Sequence, residues 1–366
     1  MSDTFPASYI YPIVCKIDIY LVSRDIFTVG WMEVRRIISL GKSSLVVSLP
    51  KKWLEFHKLK KGDAVSLSVR RDGALVLSPV TFPEREDRHI EIVVGKDEQF
   101  ASFSRKIIAC YLNGYKSIVV KSDGVLSSAQ QKGIRKVARM LYLRVMESTS
   151  KHMYLEAALD ESKVSLNMSI RRMHSVAYSM CESAIRALEE DSLDIAKAVY
   201  TLDDDVDNFL FFLLRVLKKA VHDPMLAERL GIESVDCLDY QTLISKIEHA
   251  ADCASEIAKT HMLLHGRSKR LTGNLLAMLV DLGKHTLKMY DDAVKAFFSE
   301  NLDVANVIID EEWPKVQEKS LKVSEGLVSV SDPYIGCATC SIQKSMEKIG
   351  EYAVDVAEIV IDRSFY

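Results

Sequence analysis

KSMEKIGEYAVDVAEIVID, Lys344 to Asp362, and LISKIEHAADCASEIAK, Leu243 to Lys259, are two copies of one pattern. Superposing them pairs Lys246-Ile247 with Lys348-Ile349, Ala251 with Ala353 and Glu256-Ile257 with Glu358-Ile359. In both, apolar or small residues recur at helical spacing, with polar groups on the opposite stripe. Glu347, Glu351, Asp355 and Glu358 fall at i, i+4, i+8 and i+11, which sets four acids along one face of one helix. A duplication of this size makes the C-terminal half a repeat architecture before any single element is considered.

The repeats grow outward from these helices. Val164 to Glu190 is a long helical pattern with Met168, Met173, Ala177, Met180, Ala184 and Ala187 on its apolar side. Asp191-Ser192-Leu193 opens a second helix with Asp191 as its expected cap, and the pattern runs through Ala196 and Val199 to Leu214. After a loop at Gly231, Tyr240 to His261 is the third. Leu271 to Phe298, Leu302 to Val328 and Cys340 to Asp362 repeat the order, and the junction at Glu300, Asn301 and Leu302 echoes that at Asp191. Repeats at 164–262 and 271–366 of long helices with short links make a bundle. Pro314 is the misfit, because inside a helix its ring clashes with the carbonyl of Asp310, and a kink is expected there.

Upstream, residues 85–160 alternate strand and helix, predicting a small α/β connector. His89 to Val94 is a strand, Glu98 to Asn113 an amphipathic helix, Ser117 to Val120 a strand, Ser127 to Leu141 a helix, and Leu143 to Glu147 and Met153 to Ala158 two more strands. Residues 32–82 hold short β-branched runs, a Pro50-led helix from Lys51 to His57, and turns at Gly41, Gly62 and Asp72-Gly73. Between Glu33 and Val80 ten Lys and Arg face four Asp and Glu, a local charge of +6 in a chain of net charge −3. So basic a surface points to phosphate backbones. So few residues bury too little surface to be secure alone, and dimerisation is the expected remedy.

Residues 1–31 are read as an N-terminal extension. Tyr9 to Trp31 is the most apolar segment, but Lys16, Asp18, Arg24 and Asp25 bar it from a bilayer core, and Met32 is the expected natural start. Seven scattered cysteines suit a reducing compartment, and Cys337-Ala338-Thr339-Cys340 reads as two ordinary thiols beside a loop. No G-x-S-x-G, HExxH or nucleophile pairing is present, so a non-enzymatic protein is expected.

Two resemblances sharpen this reading. RRIISLGKSSLVVSLPKKWLEFHKLKKGDAVSLSV resembles the AbrB/SpoVT family through Gly41, Ser43, Val46 or Val47, Leu49-Pro50, Leu59 and Gly62-Asp63. That likeness implies a swapped-hairpin β-barrel built by two chains, with Arg35, Arg36, Lys42, Lys51 and Lys52 as candidates for DNA contact. The helical half resembles the PhoU family of phosphate-uptake regulators. Met346 to Glu358 resembles that family's third-helix pattern, and Asp203-Asp204-Asp205-Val206-Asp207 its second-helix pattern. Together they imply a multidomain chain: a small AbrB-like barrel, an α/β connector and a mostly α body of two PhoU-like three-helix repeats, in the order of archaeal PhoU-related regulators.

The PhoU likeness also implies metal binding through E/D-x-x-x-D motifs on facing helices, since i and i+4 acids share a face and hard divalent cations take oxygen ligands. Asp203 with Asp207 and Glu347 with Glu351 keep such pairs, but their partner positions carry Ser245, His249 and Val316. The expectation is a solvated acidic face, with any divalent metal held at one weak site near Asp203, Asp207 and His249. The implied function is cytoplasmic negative control of phosphate transport, exerted on transcription through DNA. The implied partners are DNA, a phosphate ABC transporter or its sensor, and a second copy of the chain, without membrane insertion. The rival is an adaptor at the transporter whose basic domain only dimerises.

Overall fold

The structure, a computed structural model, describes residues 33–41, 44–69, 73–79, 88–271 and 273–365. The expected start at Met32 and the candidate DNA contact Lys42 lie outside the described residues. The chain divides into two units, one ending at Arg88 and the other running from His89 onward.

The first unit holds two separate antiparallel hairpins, β1 (Ile38–Leu40) with β2 (Ser44–Val46) and β3 (Val65–Val69) with β4 (Leu75–Pro79). Between them lies α1 (Lys51–Phe56), preceded by Pro50 at φ −62°. Proline's fixed φ presets the chain for the helix that follows. The first two strands are shorter than their β-branched runs. Neither hairpin covers its own apolar side chains: Leu45 is 72% and Leu67 60% exposed.

From His89 the chain builds a four-stranded sheet in the order β5-β6-β8-β7. Its strands are β5 (His89–Val94), β6 (Ser117–Ser122), β7 (Leu143–Ser148) and β8 (His152–Ala157), with β5 parallel to β6 and the other pairs antiparallel. The parallel pair needs a crossover, supplied by α2 (Phe100–Leu112). α3 (Ser128–Met140) opens on a capping box in which Ser127 and Gln130 satisfy each other's backbone N–H groups. Ile134 and Val137 of α3 join Phe103 and Ile107 of α2 over Ile118, Val120 and Leu155 of the sheet in one core.

Behind the sheet come α4 (Leu166–Glu189), α5 (Leu193–His222), α6 (Pro224–Leu230) and α7 (Asp236–Gly266), then α8 (Gly273–Ser299), α9 (Leu302–Val307), α10 (Trp313–Leu327) and α11 (Pro333–Arg363). One hydrophobic core runs through both repeats. Asp191 is not the cap of α5. Ser192 accepts from the Ile195 N–H, while Asp191 turns the chain at φ +49°, matched by Glu300 at φ +52° in the second repeat. Pro314 produces a π-helical turn, Ile308–Glu312, ahead of α10, and the extra residue per turn accommodates the missing N–H. Asp332 caps α11 and Pro333 opens it, so Cys337 and Cys340 lie within that helix, exposed, rather than beside a loop. No described helix is long and apolar enough to cross a membrane.

Candidate functional site

The basic unit places Arg35, Arg36, Lys51 and Lys52 at its surface. Glu33 pairs with Arg35, and Glu55 sits 3.6 Å from the Lys51 ammonium one turn along α1. Both contacts are solvent-exposed and therefore weak, so these cations can exchange their partners for phosphates.

The other concentration of charge is acidic and lies between α5 and α7. Asp203 and Asp207 sit one turn apart on α5, and Glu248, Asp252 and Ser255 line the facing side of α7. The Ser255 hydroxyl donates to Asp203 Oδ1 at 3.0 Å. Glu248 is only 4% exposed, and its Oε1 has no hydrogen-bond partner among the described residues. Burial first, and then the charges of Asp203, Asp252 and Asp204, push Asp207 up to about 8. Burial with Asp252, Asp207 and Asp203 raises Glu248, and burial with Asp203 raises Asp252. Burial also raises Asp203, against the Ser255 bond. Lys136 of α3 opposes the shift at Asp207 and Lys348 of α11 that at Asp252, without cancelling either. Carboxylates this close and this dry cannot all ionise, so the cluster holds protons at neutral pH.

Asp203 and Asp207, expected as a ligand pair, are thus brought together, but with different partners than expected. His249 has its ring 5.4 Å from that of Tyr352 of α11 and its Nε2 3.5 Å from Glu248 Oε2, and burial with Lys246 and Lys348 lowers its pKa. Glu347 accepts from the Ser320 hydroxyl, and Lys344 lies 3.7 Å from both Glu347 and Glu351. Neither reaches the cluster's residues. Glu248 and Asp252 are the members that the sequence reading passed over, although their i, i+4 spacing is visible in KIEHAAD. The register carried over from Glu347 and Glu351 pointed at Ser245 and His249 instead. Among the described residues no three His, Cys, Asp or Glu side chains are placed to hold a metal ion. Only ionised carboxylates ligate, so a cation at this layer would have to displace the protons that burial and mutual repulsion hold there.

In the second repeat the equivalent space is closed. In the register that matches Ile247 to Ile349, Gly350, Val354 and Ala357 replace Glu248, Asp252 and Ser255. In the register that matches Asp191 to Glu300, Val316 replaces Asp207. Trp313 fills the gap: a Cβ built on Gly350 would come within 2.8 Å of its ring and 3.4 Å of Val316.

α5 also carries the acid cluster to the sheet layer. Arg215, 4% exposed, donates to Glu161 Oε1 at 2.5 Å and to the carbonyls of Tyr111 and Tyr115, and Lys219 lies 3.1 Å from Glu161 Oε2. Phe211 enters the core of the sheet layer, and Phe212 meets the Tyr142 ring edge-on at 6.0 Å. A paired, hydrogen-bonded charge of this kind fixes one geometry.

Comparison with known proteins agrees with this division. The profile described as the PhoU domain matches residues 170–260 and 279–360, and that described as antidote-toxin recognition MazE, bacterial antitoxin, matches 38–84. The phosphate-specific transport system accessory protein PhoU homolog 1 of Thermotoga maritima is 24% identical over 209 residues, covering 54% of this chain and 84% of that protein. The crystal structure of PhoU from Pseudomonas aeruginosa covers 54% of this chain and 93% of its own at 19% identity, with a TM-score of 0.48. The phosphate transport system regulatory protein PhoU from Streptococcus pneumoniae covers 54% and 91% at 17% identity and a TM-score of 0.44. The chain is therefore a protein of two PhoU domains carried behind a MazE/AbrB-like domain.

Proposed function

We propose that the protein restrains phosphate uptake and does so partly at DNA, working by binding rather than by catalysis. The observation that carries this reading is the joining of two PhoU domains to a basic MazE/AbrB-like domain in one chain. The relative from Thermotoga maritima is named as an accessory of phosphate-specific transport, and the helical body is the part that would meet the transporter or its sensor. The local charge of +6 between Glu33 and Val80 supplies the attraction to phosphate backbones. Two hairpins with uncovered apolar faces are completed by a second copy of the same unit, so the working form is a dimer inside the cell.

The test is retardation of promoter fragments from phosphate-transport genes at low salt. Wild-type protein shifts the fragment in a salt-sensitive way, and Lys51→Glu with Lys52→Glu weakens the shift at least tenfold. A protein that never shifts DNA, or a shift indifferent to both substitutions, contradicts the reading and leaves a transporter adaptor in its place.

A further inference from the structure

Cysteine is among the most buried residue types and usually packs as a small apolar side chain. Cys181, Cys237 and Cys253 follow that rule, and Cys110 is half-buried. Cys337 and Cys340 depart from it, since both thiols are exposed. They stand three residues apart on α11, where side chains at that spacing are neighbours on the helix surface. The exposed thiols among the described residues are therefore a pair.

The turn that carries them is pinned from its other side. Ala338, Thr339 and Ile342 are buried. The Thr339 hydroxyl donates to the Ile335 carbonyl at 2.8 Å. The Gln343 amide donates to the Ser320 carbonyl at 2.9 Å and to the hydroxyls of Ser320 and Ser324 on α10 at 2.7 and 2.8 Å. A helix held in this way keeps the two Cβ atoms about 5–6 Å apart. An internal disulfide needs them at about 3.8 Å, so forming one would unwind the turn and break these bonds. A bridging ion needs no unwinding, because two metal–sulfur bonds of about 2.3 Å let the sulfurs stand up to about 4.6 Å apart.

The number of donors selects the ion. Thiolates are soft ligands that take Cu(I), zinc or iron–sulfur clusters in preference to magnesium or calcium. Structural zinc requires four ligands, and iron–sulfur clusters are held by four cysteines. Among the described residues no third His, Cys, Asp or Glu side chain joins this pair in a metal-holding group. What two thiolates alone can satisfy is a soft, univalent ion.

We infer that Cys337 and Cys340 form a two-thiolate site for one ion of the Cu(I) class on the outer face of α11. Each thiol gives its proton to solvent as the ion binds. Cu(I) and two thiols thus yield a bis-thiolate of charge −1 and two protons, with no change of oxidation state. Lys344 is exposed one turn beyond Cys340, 3.7 Å from Glu347 and Glu351. Surface pairs of that length are weak, so its ammonium is available to offset the new charge. The site shares no residue with the α5–α7 layer and does not depend on the role proposed in phosphate uptake.

The experiment titrates the full chain, stripped of metal and kept reduced without oxygen, with Cu(I) supplied as its coloured bicinchoninate complex. Wild type is expected to withdraw one ion per chain. Cys337→Ser and Cys340→Ser should each weaken uptake by more than the roughly tenfold that losing an outer-shell partner costs. Both positions are exposed, so the unfolding temperature without copper should be unchanged, and copper should raise it in wild type alone. Cys340→Ser with Lys344→Cys keeps two exposed thiols but sets them seven residues, about 10 Å, apart along the helix. That variant should bind as weakly as the single substitutions. Wild-type affinity in it would mean that thiol number rather than spacing matters, and overturns the inference. Uptake by wild type no greater than by Cys337→Ser with Cys340→Ser overturns it too. One ion per two chains overturns the single-chain site in favour of one shared between copies. Zn(II) that wild type retains through gel filtration and the double variant loses overturns the two-donor assignment.

Discussion

Where α5 faces α7, Asp203 and Asp207 look onto Glu248 and Asp252; where α10 faces α11, Val316 and Trp313 look onto Gly350. The backbone plan is the same in both places, down to the acid in left-handed conformation that closes the first turn of each repeat, Asp191 and Glu300. One repeat has kept a buried polar layer, which works against stability. The other has replaced it with an indole packed on a glycine, which favours stability. Two copies of a fold under one core do not need two working sites. The repeat with the costly layer is the one whose second helix is clamped through Arg215 to the sheet layer.

Substitutions that exchange these features break or sharpen the contrast. The largest effect is expected for Gly350→Glu, which places in repeat two the residue that repeat one has as Glu248. It meets the Trp313 ring and buries an unpaired charge, and chemical denaturation should show a loss of about 3–5 kcal/mol. The reverse exchange, Glu248→Gln, should leave stability near neutral pH equal to or above wild type. Trp313→Ala comes next, at about 2–4 kcal/mol for a half-buried indole. Gly350→Ala, destabilising by about 1–3 kcal/mol with Trp313 present, should become nearly silent in the Trp313→Ala background. Additive losses there would mean that the two residues do not share the space. The smallest effect belongs to Ser255→Ala, which removes a neutral donor to Asp203 and should cost about 1 kcal/mol.

The repeat itself, the helix order and the strands from His89 to Ala157 were legible, because helical and two-residue periodicity record which face of each element is apolar. Periodicity does not record which neighbour that face meets. Glu248 and Asp252 lie only a few positions from Ser245 and His249, yet that rotation about α7 decides whether a side chain faces α5 or α11. Pro314 announced an irregularity, but its resolution as a π-helical turn depends on an added residue that no local rule requires. α6 was hidden by its shortness, and it takes its Asp223 cap, Pro224 and left-handed Gly231 from a stretch that otherwise reads as loop. In the first unit, β1 and β2 are shorter than the β-branched runs around them, and those runs reflect apolar surface that one chain alone does not bury.

The central claim is that the α5–α7 layer holds protons rather than four free charges. It is tested most directly by equilibrium unfolding of wild type and Asp207→Asn from pH 4 to pH 9. Asp207 binds its proton more tightly in the folded chain, with a pKa near 8, than in the unfolded chain, near 4. Its contribution is therefore fully present below about pH 4 and is lost as pH rises through about 8. Wild type should lose on the order of 5 kcal/mol across this range relative to the variant, which lacks the titration, while the two agree near pH 4. Parallel curves over the whole range, or a wild type that gains on the variant as pH rises, would contradict the account.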